Sequence, residues 1–573
     1  MKYLRPFFVI TTLFATTTLL LGCGASKAPL DIESPGWPQW HGPNRDGVSQ
    51  ETDLIKGWPE SGPPVVWRVP IGDSYSGIAI SKGRAYTMST EGENELVVCL
   101  DTSNGSEIWR TRIDAKFGKS AGEGPRSTPT VDGERVFALS GKGRLVAFNT
   151  TNGEKLWEHD FVAEFGSNTP GFGFCTSPLV EGNLLLAEVG GEDNKSIVAF
   201  DKESGTVKWS THTDRAGYSS PIAITFNGIR QLIFLTSKTL ISVSPKDGQI
   251  YWEYPWITHG GINVATPILV PPDKLFISAS YDKGAALVKM NATDQGVTVE
   301  EIWKSRVMKN HFNSSVLLGD YLYGFDNAVL KCITAATGEE QWKHGGFGKG
   351  SLILADGHLI VLSDDGRLVL VEATPLAYRE KAIATVLEGQ CWTVPSLADG
   401  KLYLRNQKEA VCLDLTRSPV QKASLGTTRN VHRYKNFYLA GQPSEADLLK
   451  AKNVGVKTVV NLRMPKELTF HEKQVVNRLG MTYHNPGIGS PEMMTDQLFS
   501  TIRRILNESE NQPVLLHCGS ANRVGAIWLA YRVLDGGLSY EDALKEAKTV
   551  GLRSPAMEEK AKDYIEQNRE VKD

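Results

Sequence analysis

The chain has 573 residues and a formal net charge of −3, from 62 Lys and Arg against 65 Asp and Glu. That length allows two or more domains with separate cores, and that charge gives no general affinity for nucleic acid. Its 55 glycines and 22% charged residues fit turn-rich β structure and exclude a disordered polyelectrolyte.

The first residues, "MKYLRPFFVITTLFATTTLLLGCG", place Lys2 and Arg5 ahead of an apolar, threonine-rich run that is short for a membrane span. We read residues 1–22 as a signal peptide. Leu20-Leu21-Gly22-Cys23 resembles the lipobox of bacterial lipoproteins. That resemblance implies cleavage before Cys23 and lipid on its thiol, against a plain secretion signal with an incidental cysteine. The expected location is extracytoplasmic, lipid-anchored at the outer membrane and facing the periplasm or the cell surface. Residues 23–59 read as a tether and lead-in, in which the aromatics of "WPQWHGPNRDGVS" pack on the domain that follows.

From about residue 60 one unit recurs: "VVCLDTSNGSEIWR", "LVAFNTTNGEKLWE", "IVAFDKESGTVKWS", "LISVSPKDGQIYWE", a stretched "LVKMNATDQGVTVEEIWK" and "LKCITAATGEEQWK". Each is an apolar strand, a polar turn with glycine, and a strand ending in tryptophan. Ahead of each lies a small-residue strand, as in "STPTVDGERVFAL" and "TSPLVEGNLLLAE", with eight such starts near residues 76, 127, 176, 219, 265, 314, 350 and 395. The last repeat, "EAVCLDL", has no tryptophan strand after it, and "PPVVWRVPIG" supplies one at the other end. The pattern predicts an eight-bladed all-β propeller over 60–417, closed by its N-terminal strand.

The repeat resembles the pyrroloquinoline-quinone (PQQ) propeller superfamily, which includes quinoprotein dehydrogenases and cofactor-free scaffolds such as the lipoprotein of the outer-membrane barrel-assembly machine. The resemblance implies a propeller whose tryptophans wedge between blades, binding another envelope protein or a substrate. The dehydrogenases also carry a vicinal cysteine pair, calcium-binding carboxylates or amides, and a CxxCH haem site. None of these stands out here, so neither PQQ nor another cofactor is expected, and no metal. The seven cysteines, Cys23, Cys99, Cys175, Cys332, Cys391, Cys412 and Cys518, form no C-x-x-C pair. Cys99, Cys332 and Cys412 share one repeat position and read as buried packing residues. A disulfide involving Cys175 or Cys391 stays open.

After a linker at 418–430, residues 431–573 change to alternating helices and strands, a smaller α/β domain. Ser444 caps a helix with Asp447 three residues on, Thr495 and Ser539 cap two more, and Ser554 precedes a last one at Pro555. "PVLLH" is a buried strand and "VGAIWLAYRVLDGG" a helix, which puts Cys518 at a strand tip before a helix. Such a position favours a thiolate, attracts a tetrahedral oxyanion and lets an arginine hold two of its oxygens.

Gly441-Gln442-Pro443-Ser444, Asn461-Leu462-Arg463 and His517-Cys518 with Asn522-Arg523-Val524-Gly525 resemble motifs of the cysteine-based (tyrosine and dual-specificity) protein phosphatases, over about 130 residues. The resemblance implies Cys518 as nucleophile, Arg523 as phosphate clamp, and a cradle of backbone amides from Gly519, Ser520, Ala521 and Asn522. His517 either orients the loop or is a buried strand-end histidine. The chain departs from the pattern in three ways. Four residues separate Cys from Arg where the pattern has five, Val524 replaces a hydroxyl, and Ala521 replaces a glycine. No aspartate occupies the usual general-acid position; Glu492 and Asp496 are the nearest carboxylates. Three readings follow: phosphate-ester hydrolysis through a phosphocysteine, a scaffold with a degenerate domain, or a rhodanese-like sulfurtransferase using Cys518.

Overall fold

A computed structural model describes residues 36–119, 122–294, 296–417 and 420–569. The signal peptide and Cys23 lie outside the described residues. Among the described residues, eight four-stranded antiparallel sheets form the propeller blades. Seven are built from consecutive strands. The eighth joins Ser396–Ala398, Lys401–Arg405 and Glu409–Asp414 to the N-terminal strand Val65–Pro70, in the register Trp67 with Cys412 and Arg68 with Val411. The predicted closure by the N-terminal strand is observed, and it leaves no open edge in the ring.

The repeat has a steric logic. In the pairing of the two outer strands, the register slips just beyond each tryptophan: Trp109 faces Cys99, Trp157 faces Ala147, and Trp342 faces Cys332. This bulge aims the indole at the next blade. There its Nε1 donates to a turn carbonyl: Trp67 to Thr102 (2.9 Å), Trp109 to Thr150 (2.9 Å), and Trp342 to Thr374 (2.7 Å). The turn glycine lies under the ring. At Gly105 (φ +74°) an added Cβ would sit 2.8 Å from the Trp67 ring, and at Gly153 (φ +70°) 2.5 Å from Trp109. Both the left-handed backbone and the contact require glycine. Cysteine fits opposite the indole because it is small and apolar; Cys99, Cys332 and Cys412 are fully buried. Cys175 and Cys391 are free thiols.

The lead-in crosses the propeller axis. Trp37 bridges Ile80, the Pro38 carbonyl accepts from Val131 N, and Trp40 Nε1 donates to Thr266 Oγ1 (2.9 Å). The buried Arg45 donates to the carbonyls of Ser177 (2.8 Å) and Pro178 (3.0 Å), and Ser49 N to that of Leu354. These partners lie on the inner strands of five different blades, so the segment plugs the channel. Burial holds Arg45 down at about 9 and His41 at about 3, the latter helped by the Arg45 charge.

The C-terminal body is a six-stranded sheet in the order Gln421–Lys422, His432–Tyr434, Phe437–Ala440, Val514–His517, Thr458–Asn461, Thr482–His484. Its last four strands are parallel. The edge strand Gln421–Lys422 comes from the stretch read as linker. Ser444 and Asp447 form a capping box, and Thr495 and Ser539 cap their helices. This body touches the propeller through Arg417–Asp542 (2.6 Å) and Lys435–Asp414 (2.6 Å), and Gly537 packs against Gly57 and Trp58. Among the described residues no helix is long and apolar enough to cross a membrane.

Candidate active site

The strand Val514–His517 is buried throughout between two parallel neighbours, and four residues separate its end from the helix Asn522–Leu534. Cys518 stands at the strand tip, 1% exposed. The loop returns through Ala521, whose φ of 67° is left-handed. A side chain there costs roughly 1–2 kcal/mol relative to glycine.

Neighbours outside the loop hold its carbonyls. Gly519 O accepts from Gln442 N (3.4 Å), and Ser520 O from Asn430 Nδ2 (3.0 Å) and Arg553 Nη2 (3.2 Å). Because each peptide is planar and trans, the N–H groups of Ser520 and Ala521 turn away from those partners. Asn522 uses its side-chain oxygen to accept from the amides of Arg553 (2.6 Å) and Ser554 (3.1 Å), tying the loop to the start of the last helix. A Cβ added at Gly519 would meet nothing within 4 Å, so space is open at that point of the loop.

Arg523 is held along one edge. Nη1 and Nη2 form a fork on Glu467 (2.8 and 2.7 Å), and Nη1 also donates to the carbonyls of Leu462 (2.9 Å) and Ile488 (2.8 Å). Among the described residues, Nε and the second Nη2 hydrogen have no hydrogen-bond partner, so the other edge of the guanidinium is available to an anion. The Arg523 hydrogen bond holds Glu467 down at about 2, and Arg523 is raised by Glu467 first and by the neighbouring Cys518 as well.

Behind the loop lies a buried polar hub. Glu472 accepts from His517 Nε2 (2.7 Å), Asn461 Nδ2 (3.0 Å) and Gln442 Nε2 (2.8 Å), and so joins three separate motifs. Arg463 donates to Gln442 Oε1 (2.7 Å) and to the Glu467 carbonyl. His517 is therefore a fully buried partner of Glu472 behind the loop, and its Nδ1 has no partner among the described residues.

The structure brings Cys518, the loop 519–522, Arg523 and His517 together. Among the described residues neither Glu492 nor Asp496 makes a hydrogen bond or ion pair with any of them. Glu492 is exposed in the turn Pro491–Met493, its acidity strengthened chiefly by Ser490, and Asp496 is the exposed first residue of its helix. Val524 is wholly buried in the core. Sequence reasoning missed Glu467 and Glu472. Their one signal was being the two carboxylates that follow Asn461-Leu462-Arg463 within ten residues. Among the described residues no three His, Cys, Asp or Glu side chains gather as a metal site.

A family model described as outer membrane protein assembly factor BamB matches residues 60–169 and 167–344. BamB from Moraxella catarrhalis is 15% identical, over 61% of this chain and 85% of its own, with a TM-score of 0.33. Quinohemoprotein alcohol dehydrogenase ADHIIG from Pseudomonas putida HK5 is 10% identical over 93% and 95%, with a TM-score of 0.42. A candidate phosphatase of the DUF442 group from Shewanella putrefaciens CN-32 is 17% identical, over 25% of this chain and 94% of its own, with a TM-score of 0.22. No curated protein sequence matches the chain. The larger body of this protein is thus a BamB-like eight-bladed β-propeller built from PQQ-type repeats.

Proposed function

We propose that the chain is an envelope protein in which a BamB-like scaffold propeller carries a cysteine-dependent phosphatase domain. The observation that carries this reading is the divided guanidinium of Arg523. One edge is locked on Glu467 and the other is left for an oxyanion beside Cys518. Cys518 Sγ attacks the phosphorus of a phosphate ester, the S–P bond forms, and the P–O bond to the leaving alcohol breaks. Arg523 and the backbone amides of the loop 519–522 stabilise the equatorial oxygens. Water then cleaves the S–P bond and releases phosphate and the thiolate. The two carboxylates nearest the loop are both engaged, Glu467 by Arg523 and Glu472 by His517, so esters whose alcohols leave as stable anions, such as aryl phosphates, are the favoured substrates. The lipobox-like Cys23 and the BamB-like propeller support a lipid-anchored periplasmic location and an envelope protein as the propeller's partner.

The test is single-turnover hydrolysis of an aryl phosphate by the full chain beside Cys518→Ser. A burst stoichiometric with protein, absent from the variant, is expected. Sulfur transfer from thiosulfate without a burst would make Cys518 a persulfide carrier. Absence of both would leave a binding domain.

A further inference from the structure

Arg523 joins the cysteine loop to a second segment, 485–494, which follows the strand Thr482–His484. Its Nη1 donates to the carbonyls of Ile488 (2.8 Å) and Leu462 (2.9 Å), and Ile488 N donates to the same Leu462 carbonyl (3.0 Å). Asn485 Nδ2 ties the start of the segment to the carbonyls of Asn461 (2.7 Å) and Arg463 (2.8 Å). The segment is therefore docked along the locked edge of the guanidinium, as a wall beside the loop.

Two methionines converge on that wall. Met464 precedes the turn Pro465–Glu467, and its amide donates to Glu467 Oε2 (2.7 Å), the carboxylate that forks Arg523. Its side chain lies over two glycines. A Cβ added at Gly487 would sit 3.1 Å from Met464 Sδ, and one added at Gly489 would sit 3.4 Å from Met464 Cγ. Met493 reaches the same point from the turn Pro491–Met493, and Gly489 N donates to its Sδ (3.3 Å). The thioethers occupy the space that side chains at 487 and 489 would otherwise fill.

Exposure separates this pair from packing residues. Ile488 (1% exposed) and Met494 (3%) are buried in the core, whereas Met493 is 42% exposed and Met464 is half-buried. Among the described residues of this body, the other exposed large apolar side chains are Leu449 and Val454, both at the helix Glu445–Asn453. A single apolar side chain in water is ordinary. Two thioethers meeting over glycine, beside an arginine open to an anion, mark a binding surface. The carboxylate on the same turn, Glu492, is held by Ser490.

In an in-line displacement the leaving oxygen lies opposite the attacking sulfur. It therefore points out of the loop, and its substituent comes to rest against whatever borders Arg523. We propose that Met464 and Met493 are specificity-determining residues that form a platform for the leaving group, and that the ester cleaved carries a broad aromatic alcohol laid on the two thioethers. The platform rests on the phosphatase reading for its chemistry, and adds selection by shape to selection by leaving-group acidity. Methionine suits such a surface because its unbranched, polarisable thioether adapts to the face or edge of a ring.

The experiment uses the full chain and three substrates. Two are 2-naphthyl phosphate and phenyl phosphate, whose alcohols are similar in acidity, and the third is acetyl phosphate, whose leaving group is small and polar. The kcat/KM for the naphthyl ester is expected to exceed that for the phenyl ester ten-fold or more. Met493→Ala, alone and with Met464→Ala, should shrink that ratio at least five-fold, chiefly through KM, and Met493→Leu should restore most of it. Binding of 2-naphthyl phosphate to Cys518→Ser, followed by naphthyl fluorescence with phenyl phosphate as competitor, reads the same preference without turnover. Equal kcat/KM for the two aryl esters, with a burst from acetyl phosphate, would overturn the platform and leave the phosphatase standing. A naphthyl preference in Cys518→Ser that the methionine substitutions abolish, with no burst from any ester in the native chain, would keep the platform and overturn the phosphatase. A preference that survives both methionine substitutions, or none by either readout, would overturn the proposal.

Discussion

Arg523 carries the argument for chemistry because its fork is used on one side only. A lysine at 523 could keep one ion pair with Glu467 but could not also present two donors to an oxyanion. On the proposed reading, Arg523→Lys lowers the single-turnover rate by about 10²–10³, the usual effect of losing such a donor. Its melting curve should stay close to that of the native protein, so rapid-quench kinetics beside a thermal melt checks both halves. Cys518 and Arg523 were legible because a strand, a cysteine, small residues and an arginine follow one another directly. Glu467 and Glu472 were not. Glu472 meets His517 across 45 residues of sequence, and nothing local to either residue announces the pair.

Blade geometry explains why the motif pairs a glycine with a tryptophan that belongs to the preceding blade. The repeat shows the two residues together in sequence, but the contact runs between neighbouring units, and that could be read only once the units were known to stack. The stretched fifth unit shows the rule by exception. Facing the longer hairpin Gly284–Thr293 with Gly296–Ser305, Trp252 donates instead to Gln231 Oε1 (2.9 Å) within its own blade. Blades also bury charge. Glu95 accepts from the amides of Phe117 (3.0 Å) and Gly141 (2.9 Å), and burial raises its carboxyl to about 7. Between the unfolded value of 4.5 and about 7, the folded state holds the proton that the unfolded state has lost. Stability from this group is therefore full below pH 4.5 and falls as pH rises to about 7. The depressed His41 and His311 act in the opposite sense, equally in wild type and variant. The melting temperature of Glu95→Gln, measured against wild type, should accordingly improve between pH 5 and pH 8.

At the scale of the whole molecule, the ring depends on the strand Val65–Pro70, and the plug ahead of that strand ties five blades together. A chain starting at Pro63 keeps the closing strand and loses the plug. It should elute like the native protein while melting earlier. A chain starting at Gly72 exposes Glu409–Asp414 as an unpaired edge and should aggregate, and size-exclusion chromatography separates the two outcomes. The sequence by itself determined the blade count, the closure, the helix caps and the place of Cys518. Each of these is written in short-range periodicity, turn chemistry or a contiguous motif. Only the tertiary structure decided which edge of Arg523 is free, that Glu472 joins three motifs, and that the lead-in plugs the propeller channel. Those features arise where distant segments meet, and local pattern carries no record of such meetings.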